Sequence, residues 1–125
     1  MLAVCFAAIT SLGWSREIDY ARDIQPLLSE NCYQCHGPDA KARKAKLRLD
    51  IREDAVRGRD GFHAILAGQP DASDVVYRIK STAHDEVMPP PKSGKSLSKA
   101  EIDLIEEWIL SLIHISEPTR RYAIS

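Results

Sequence analysis

The stretch Cys32-Tyr33-Gln34-Cys35-His36 places two cysteines two residues apart and a histidine directly after the second. Two cysteines so close in sequence cannot stabilise a fold by closing a long loop, so they indicate local chemistry. The spacing C-x-x-C-H is typical of covalent c-type haem attachment. Two thiols can add to the two vinyl groups on one edge of a porphyrin while the next imidazole reaches the iron. The motif therefore predicts one haem bound by Cys32, Cys35 and His36.

Two other kinds of site are open at this point. A structural zinc site needs four nitrogen or sulfur ligands, but beyond the motif only His63, His84 and His114 remain as histidines and no second C-x-x-C exists. A redox-active dithiol of the thioredoxin type would follow a strand, whereas here the pair follows a helical pattern. The motif therefore favours haem attachment over a zinc site and over a redox-active dithiol.

Met88 is the candidate for the opposite side of the iron. It lies 52 residues after His36, in Met88-Pro89-Pro90-Pro91, and the other methionine is Met1. Three prolines exclude a helix and favour an extended path. A thioether held there suits a haem with His/Met ligation. His84 and His63 are the competing distal ligands, and packing under the loop is the non-ligating alternative for Met88.

Helical patterns surround these residues. Apolar spacing predicts a helix over 19–31, with Pro26 in its first turn if Asp23 is the cap. Shorter helices are expected over 53–57 and 74–79, the latter capped by Asp71 or Ser73. Ser98 and Glu101 form a capping box that opens a helix to about Leu112. No strand pattern of useful length appears, so the fold class is all-α with long loops.

The last helix carries an apolar stripe. We expect this stripe to pack against the first helix, at Ile24, Leu27 and Leu28. Its members are Ile102, Ile105, Trp108, Ile109 and Leu112.

Composition limits the class of protein. Residues 16–112 hold 39 apolar residues in 97, about 40%, which is lean for a globular domain, and a porphyrin would supply the missing apolar body. The same span has 15 Lys plus Arg against 17 Asp plus Glu, so its net charge of −2 gives no support for nucleic-acid binding. No catalytic pairing of acidic residues and no Ser-His-Asp pattern appears. Because His36 and Met88 would account for both axial positions of the iron, we expect an electron carrier and not an enzyme.

The chain ends predict export and a foreign tail. Residues 1–15 carry no charge, and the apolar run Leu2 to Gly13 is too short to span a bilayer but fits a signal peptide cleaved after Ser15, which would remove Cys5. No positive residue precedes the run, as expected of a clipped or misassigned start; a buried element of the domain is the alternative. We predict an exported, periplasmic or extracytoplasmic protein whose domain spans 16–112, followed by an unrelated tail at 113–125.

Two basic features are candidates for charge recognition. The stretch 41–48, KARKAKLR, could neutralise haem propionates, dock an acidic redox partner or simply face solvent. Arg48 and Arg52 are the better propionate candidates, because they flank the apolar Leu49 and Ile51, which can anchor them.

Several short motifs occur together in an order that resembles the planctomycete-type cytochrome c domain, a relative of the single-haem class I cytochromes c. The resemblance implies a class I fold with crossed N- and C-terminal helices around one covalent haem, His36 proximal and Met88 distal. It also implies single-electron transfer with a redox partner protein or with fused domains of a longer chain, including a larger redox enzyme. A sensor or enzyme domain with a displaceable Met88 is the alternative. The motifs are Asp23-Ile24-Gln25-Pro26-Leu27-Leu28, Asn31-Cys32, Cys35-His36-Gly37-Pro38-Asp39, Leu47-Arg48-Leu49-Asp50, Gly68-x-Pro70, Arg78-Ile79, Met88-Pro89-Pro90 and Trp108-Ile109.

Overall fold

The computed structural model describes residues 17–112. The predicted signal peptide at 1–15 and the predicted tail at 113–125 lie outside the described residues. Within 17–112, each helix is too short or too polar to cross a membrane.

Four α-helices and one small hairpin make up the described part of the chain. A π-helical turn at Tyr20–Ile24 leads into α1 (Gln25–Asn31), and α2 (Arg52–Ala55) precedes the antiparallel strands β1 (Gly58–Arg59) and β2 (Phe62–His63). A 3-10 turn at Pro70–Ala72 comes before α3 (Asp74–Lys80), and another at Pro91–Ser93 comes before α4 (Lys99–Ser111). The domain is therefore rich in helix with long connections, as the sequence pattern predicts.

The first helical segment agrees with the predicted span 19–31, but it starts with the π turn, whose cap Asp19 accepts a hydrogen bond from the Arg22 amide at 2.8 Å. The regular α-helix has Ile24 at its N-cap, so the prediction of Asp23 as the cap is wrong. The π turn ends before Gln25, so Pro26 still falls in the first turn of the regular α-helix. Proline is tolerated there because its missing N–H would have no helical partner.

Helix α4 is the main packing element. The Ser98 hydroxyl and Glu101 carboxylate form the predicted capping box. Ile105, Trp108, Ile109 and Leu112 are buried, whereas Ile102 is half-buried. The Trp108 ring lies 5.5 Å from that of Tyr20, a partner that the expected stripe against Ile24, Leu27 and Leu28 did not include.

Helix α3 agrees with the predicted span and follows Ser73, one of its two expected caps, but the Ser73 side chain makes no capping hydrogen bond. Ser73 occupies the N-cap position, yet its hydroxyl accepts from the Leu66 amide at 2.9 Å and donates to the Gln69 carbonyl at 2.9 Å. Ser73 is almost fully buried, so these bonds satisfy a polar group inside the core. Ser73 thus connects the start of α3 to the preceding residues Leu66 and Gln69.

Candidate functional site

The two cysteines lie at the carboxyl end of α1. The Cys32 amide caps the helix by donating to the Leu28 carbonyl at 2.7 Å, and the His36 amide donates to the Cys32 carbonyl at 2.8 Å. This turn brings the side chains of Cys32 and His36 to the same cavity. Both cysteines are free and half-buried. Burial raises the pKa of Cys32 to about 11, because the desolvated thiolate is disfavoured.

His36 is oriented by the chain that follows it. Its Nδ1 lies 3.2 Å from the Lys44 carbonyl oxygen and donates to it in the neutral tautomer, which leaves Nε2 with a lone pair. Burial lowers the pKa of His36, an effect that hydrogen bonds to the Lys44 and Leu47 backbone oppose in part. A neutral imidazole with one nitrogen held by a carbonyl is the arrangement a metal-ligating histidine requires.

The loop after His36 folds back onto it. Ala45 and Lys46 have φ of 53° and 54°, in the left-handed region that non-glycine residues rarely adopt. The reversed chain direction lets the Lys44 carbonyl accept from the Leu47 amide as well as from His36. The Leu49 amide also donates to the His36 carbonyl at 2.8 Å, so this loop closes around the histidine.

Met88 reaches the site from a different part of the chain. Its amide donates to the Arg78 carbonyl near the end of α3, at 3.1 Å. Just before it, the Glu86 carboxylate accepts hydrogen bonds from the Tyr77 hydroxyl at 2.7 Å and the Ser81 hydroxyl at 3.4 Å. The loop that carries Met88 is thereby attached to α3.

One cavity of about 260 Å³ brings these groups together. Cys32, His36 and Met88 all line it, although Met88 is 52 residues from His36 in sequence. Cys35 is half-buried but is not a lining residue. A thiol, an imidazole and a thioether facing apolar walls form a donor set that fits a covalently attached haem. The walls include Leu47, Leu49, Phe62, Ala64, Val75 and Ile79.

The arginines expected from the sequence are not among the lining residues. Arg48 forms a salt bridge with Asp50 at 2.6 Å, and Arg52 is half-buried at the start of α2. Arg59 and Arg78 line the cavity instead. Sequence reasoning missed Arg59 because its place depends on a hairpin of two-residue strands, too short to leave a period-2 pattern. The sequence signal for this hairpin is the dipeptide Asp60-Gly61, which is typical of a tight turn. In the structure the two residues have φ of 45° and 89°.

The competing histidines lie elsewhere. His63 Nδ1 is 3.1 Å from the Val56 carbonyl oxygen, and His84 is exposed on its loop. Neither lines the cavity. Within residues 17–112, no three His, Cys, Asp or Glu side chains are grouped so as to hold a metal ion. The zinc alternative thus has no ready-made ligand cluster in this part of the chain.

Comparison with known families matches residues 32–92 to the model described as planctomycete cytochrome C. The matched segment spans 61 of the 125 residues and contains the C-x-x-C-H motif, Arg59, Arg78 and Met88. Residues 32–92 of the chain are therefore similar to a planctomycete-type cytochrome c domain. For such a domain the family implies covalently bound haem c and electron transfer. Neither the curated proteins nor the solved structures contain a match to the chain.

Proposed function

We propose that the cytochrome c domain transfers single electrons outside the cytoplasm, through one haem c attached by thioethers to Cys32 and Cys35. His36 and Met88 are the axial ligands in this proposal. The main support for this proposal is the shared cavity, because two distant parts of the sequence contribute an imidazole and a thioether to it. When bound, the haem would supply a one-electron Fe(III)/Fe(II) couple.

The protein's own groups have distinct roles in this proposal. Lys44 holds the imidazole of His36 through its carbonyl oxygen, which fixes the tautomer and ring orientation. Arg78 holds the backbone of Met88 through a second carbonyl, which keeps the thioether at the cavity. The apolar walls would limit the water around a bound haem, so a charge change there would require less rearrangement of solvent.

Attachment is tested by expressing the protein with a haem-maturation system and exporting it. We expect one haem mass to remain on the chain after denaturation, because thioether bonds are covalent whereas ligation by His36 is not. Cys32→Ala combined with Cys35→Ala should abolish the retained mass. A wild-type chain that carries zinc, or a reversible disulfide between the two cysteines, would contradict the proposal.

The distal ligand is tested with two variants in the loop that carries Met88, both made in the haem-loaded protein. Met88→Ala should leave the haem attached, remove the long-wavelength absorption of a sulfur–Fe(III) bond and lower the reduction potential. His84→Ala is the matched control, four residues away on the same loop, and should change neither quantity. A shift with His84→Ala alone would assign the distal position to His84. Wild-type protein that lacks the sulfur band would instead favour a ligand-binding sensor or enzyme.

Export is tested on the same sample. The mature protein should begin at Arg16, because the apolar run before it fits a cleaved signal peptide. Intact mass and N-terminal sequencing measure this directly. Retention of residues 1–15 in the exported protein would favour the alternative in which this run is an element of the domain.

A further inference from the structure

The apolar cavity carries an excess of positive charge. Lys44, Arg59 and Arg78 line it, with Asp74 as the one carboxylate in the lining. Asp74 lies 3.3 Å from Arg78 Nε and offsets that cation. A charge beside apolar walls is unfavourable unless an opposite charge accompanies it. The lining therefore suits a ligand that combines a large apolar body with an anionic group.

Arg59 is the most firmly held of these cations. Its side chain is 15% exposed. Nη2 donates to the Asp54 carboxylate at 2.7 Å, and Nη1 donates to the Asp54 carbonyl at 2.8 Å. These two bonds use two of the five guanidinium donors, so N–H groups remain for a partner in the cavity.

Asp54 does not neutralise Arg59 alone. The same carboxylate forms a salt bridge with Arg57 at 3.0 Å and accepts from the Arg48 amide at 2.7 Å. Two guanidinium groups thus share one carboxylate, which leaves a net positive charge at the base of the hairpin. Planar guanidinium groups are well suited to bind carboxylates through paired hydrogen bonds.

We propose that Arg59 binds a carboxylate of the cavity's ligand, which, on the function proposed above, is a propionate of haem c. Asp54 is the positioning residue that holds the guanidinium against the cavity wall. Arg59 thereby takes the role that the sequence pattern assigned to Arg48 and Arg52.

Arg57 provides a matched control. It bridges to the same carboxylate and carries the same charge, but its side chain is 62% exposed and it does not line the cavity. Arg59→Gln and Arg57→Gln therefore remove equal charge from the same ion-pair cluster. They differ in whether the lost group faces the ligand.

The measurement is the reduction potential of the haem-loaded protein as a function of pH. Removal of an arginine beside a carboxyl raises the apparent pKa of that carboxyl. With Arg59→Gln, we expect the pH range over which the potential changes to move up by about one unit or more. Arg57→Gln should leave the profile at its wild-type position. Arg59→Lys keeps the charge but loses the planar fork, so it should give a smaller upward shift that still exceeds that of Arg57→Gln.

Loss of Arg59 leaves the half-buried Asp54 with one partner fewer, and Arg59→Gln could fail to fold. The double variant Asp54→Asn with Arg59→Met avoids an uncompensated charge. Because it also removes the Asp54 anion, its profile should be compared with that of Asp54→Asn alone, and it should lie at higher pH by about the shift that Arg59→Gln gives in the wild-type background. Equal profiles for the Arg57 and Arg59 variants, or equal profiles for the double variant and Asp54→Asn, would overturn only the assignment of Arg59. A wild-type protein without covalent haem would instead overturn the proposed function, and this proposal with it.

Discussion

The two loops that supply the cavity with ligand side chains are built differently. The proximal segment, residues 32–49, closes on itself through backbone bonds from the amides of Lys44 and Leu49 to the carbonyls of Cys35 and His36. The distal segment, residues 81–91, depends on α3, because Met88 bonds to the Arg78 carbonyl. The difference teaches that the proximal side of the site is held by bonds within its own loop, whereas the distal side is held by bonds to a neighbouring helix.

We expect the largest loss of stability from a substitution in α4, the helix that packs at the centre of the domain. Trp108 is fully buried and its ring contacts that of Tyr20. Trp108→Ala should lower the free energy of unfolding by ~3 to 5 kcal/mol, the usual cost of truncating a buried large aromatic. Denaturant unfolding of the haem-loaded protein measures this.

Leu110→Ala is the control for Trp108, on the same helix but 52% exposed. Exposed substitutions usually change stability by less than about 0.5 kcal/mol. A cost below about 1 kcal/mol for Trp108→Ala would mean that α4 does not support the two segments.

The proximal segment was the more predictable of the two from sequence. Its C-x-x-C-H spacing is local chemistry, and the capping box of α4 is equally local, so neither depends on how distant parts of the chain meet. Met88 could be nominated because residues 2–125 offer no second thioether, but its place in the same cavity as His36 is a tertiary property. Arg59 was not nominated, since its position at the cavity depends on Asp54 and on a hairpin whose sequence signal is the Asp60-Gly61 turn.

Gly37→Ala should damage the proximal segment specifically. A Cβ at this buried glycine would collide with the backbone of Tyr33, which lies between the two cysteines. We expect a loss of about 3 kcal/mol in the free energy of unfolding, at the upper end of the usual cost of overpacking.

Gly94→Ala is the comparison variant, because its Cβ would meet nothing within 4 Å. At a φ of 72° the substitution still costs about 1 kcal/mol through backbone strain. If the two substitutions cost the same, the proximal segment can shift freely and its tight closure is not a real difference between the loops.

Asp54→Asn tests the anchor at the end of the proximal segment. Burial disfavours the charged carboxylate, but hydrogen bonds from the Arg48 amide and the Arg59 guanidinium, with the charges of Arg59 and Arg57, outweigh it and lower the pKa of Asp54. A carboxyl with a lowered folded-state pKa stabilises the fold above its ordinary value of 3.8, and this contribution is lost as pH falls through the folded value.

We therefore expect Asp54→Asn to lower the free energy of unfolding by about 1 kcal/mol at neutral pH. The difference from wild type should shrink as pH drops below about 4. Glu53→Gln, at an exposed neighbouring position on α2, should show neither effect. A pH-independent difference would indicate that Asp54 acts through shape and not through charge.

The smallest effect on stability is expected in the distal segment, from Glu86→Gln. The Glu86 carboxylate accepts from the hydroxyls of Tyr77 and Ser81, and the Arg78 guanidinium approaches the Glu86 carbonyl at 3.5 Å. Such exposed interactions contribute little to global stability. Because the segment depends on α3, however, weakening this attachment should let the Met88 amide open more often. Hydrogen exchange at the Met88 amide should accelerate roughly two- to fivefold, the range expected from the loss of an exposed interaction.

Asp85→Asn, at an exposed neighbour on the same loop, is the control. The same acceleration at the Leu49 amide, whose bond to His36 lies in the proximal segment, would show that the two loops open together and would remove the distinction between them.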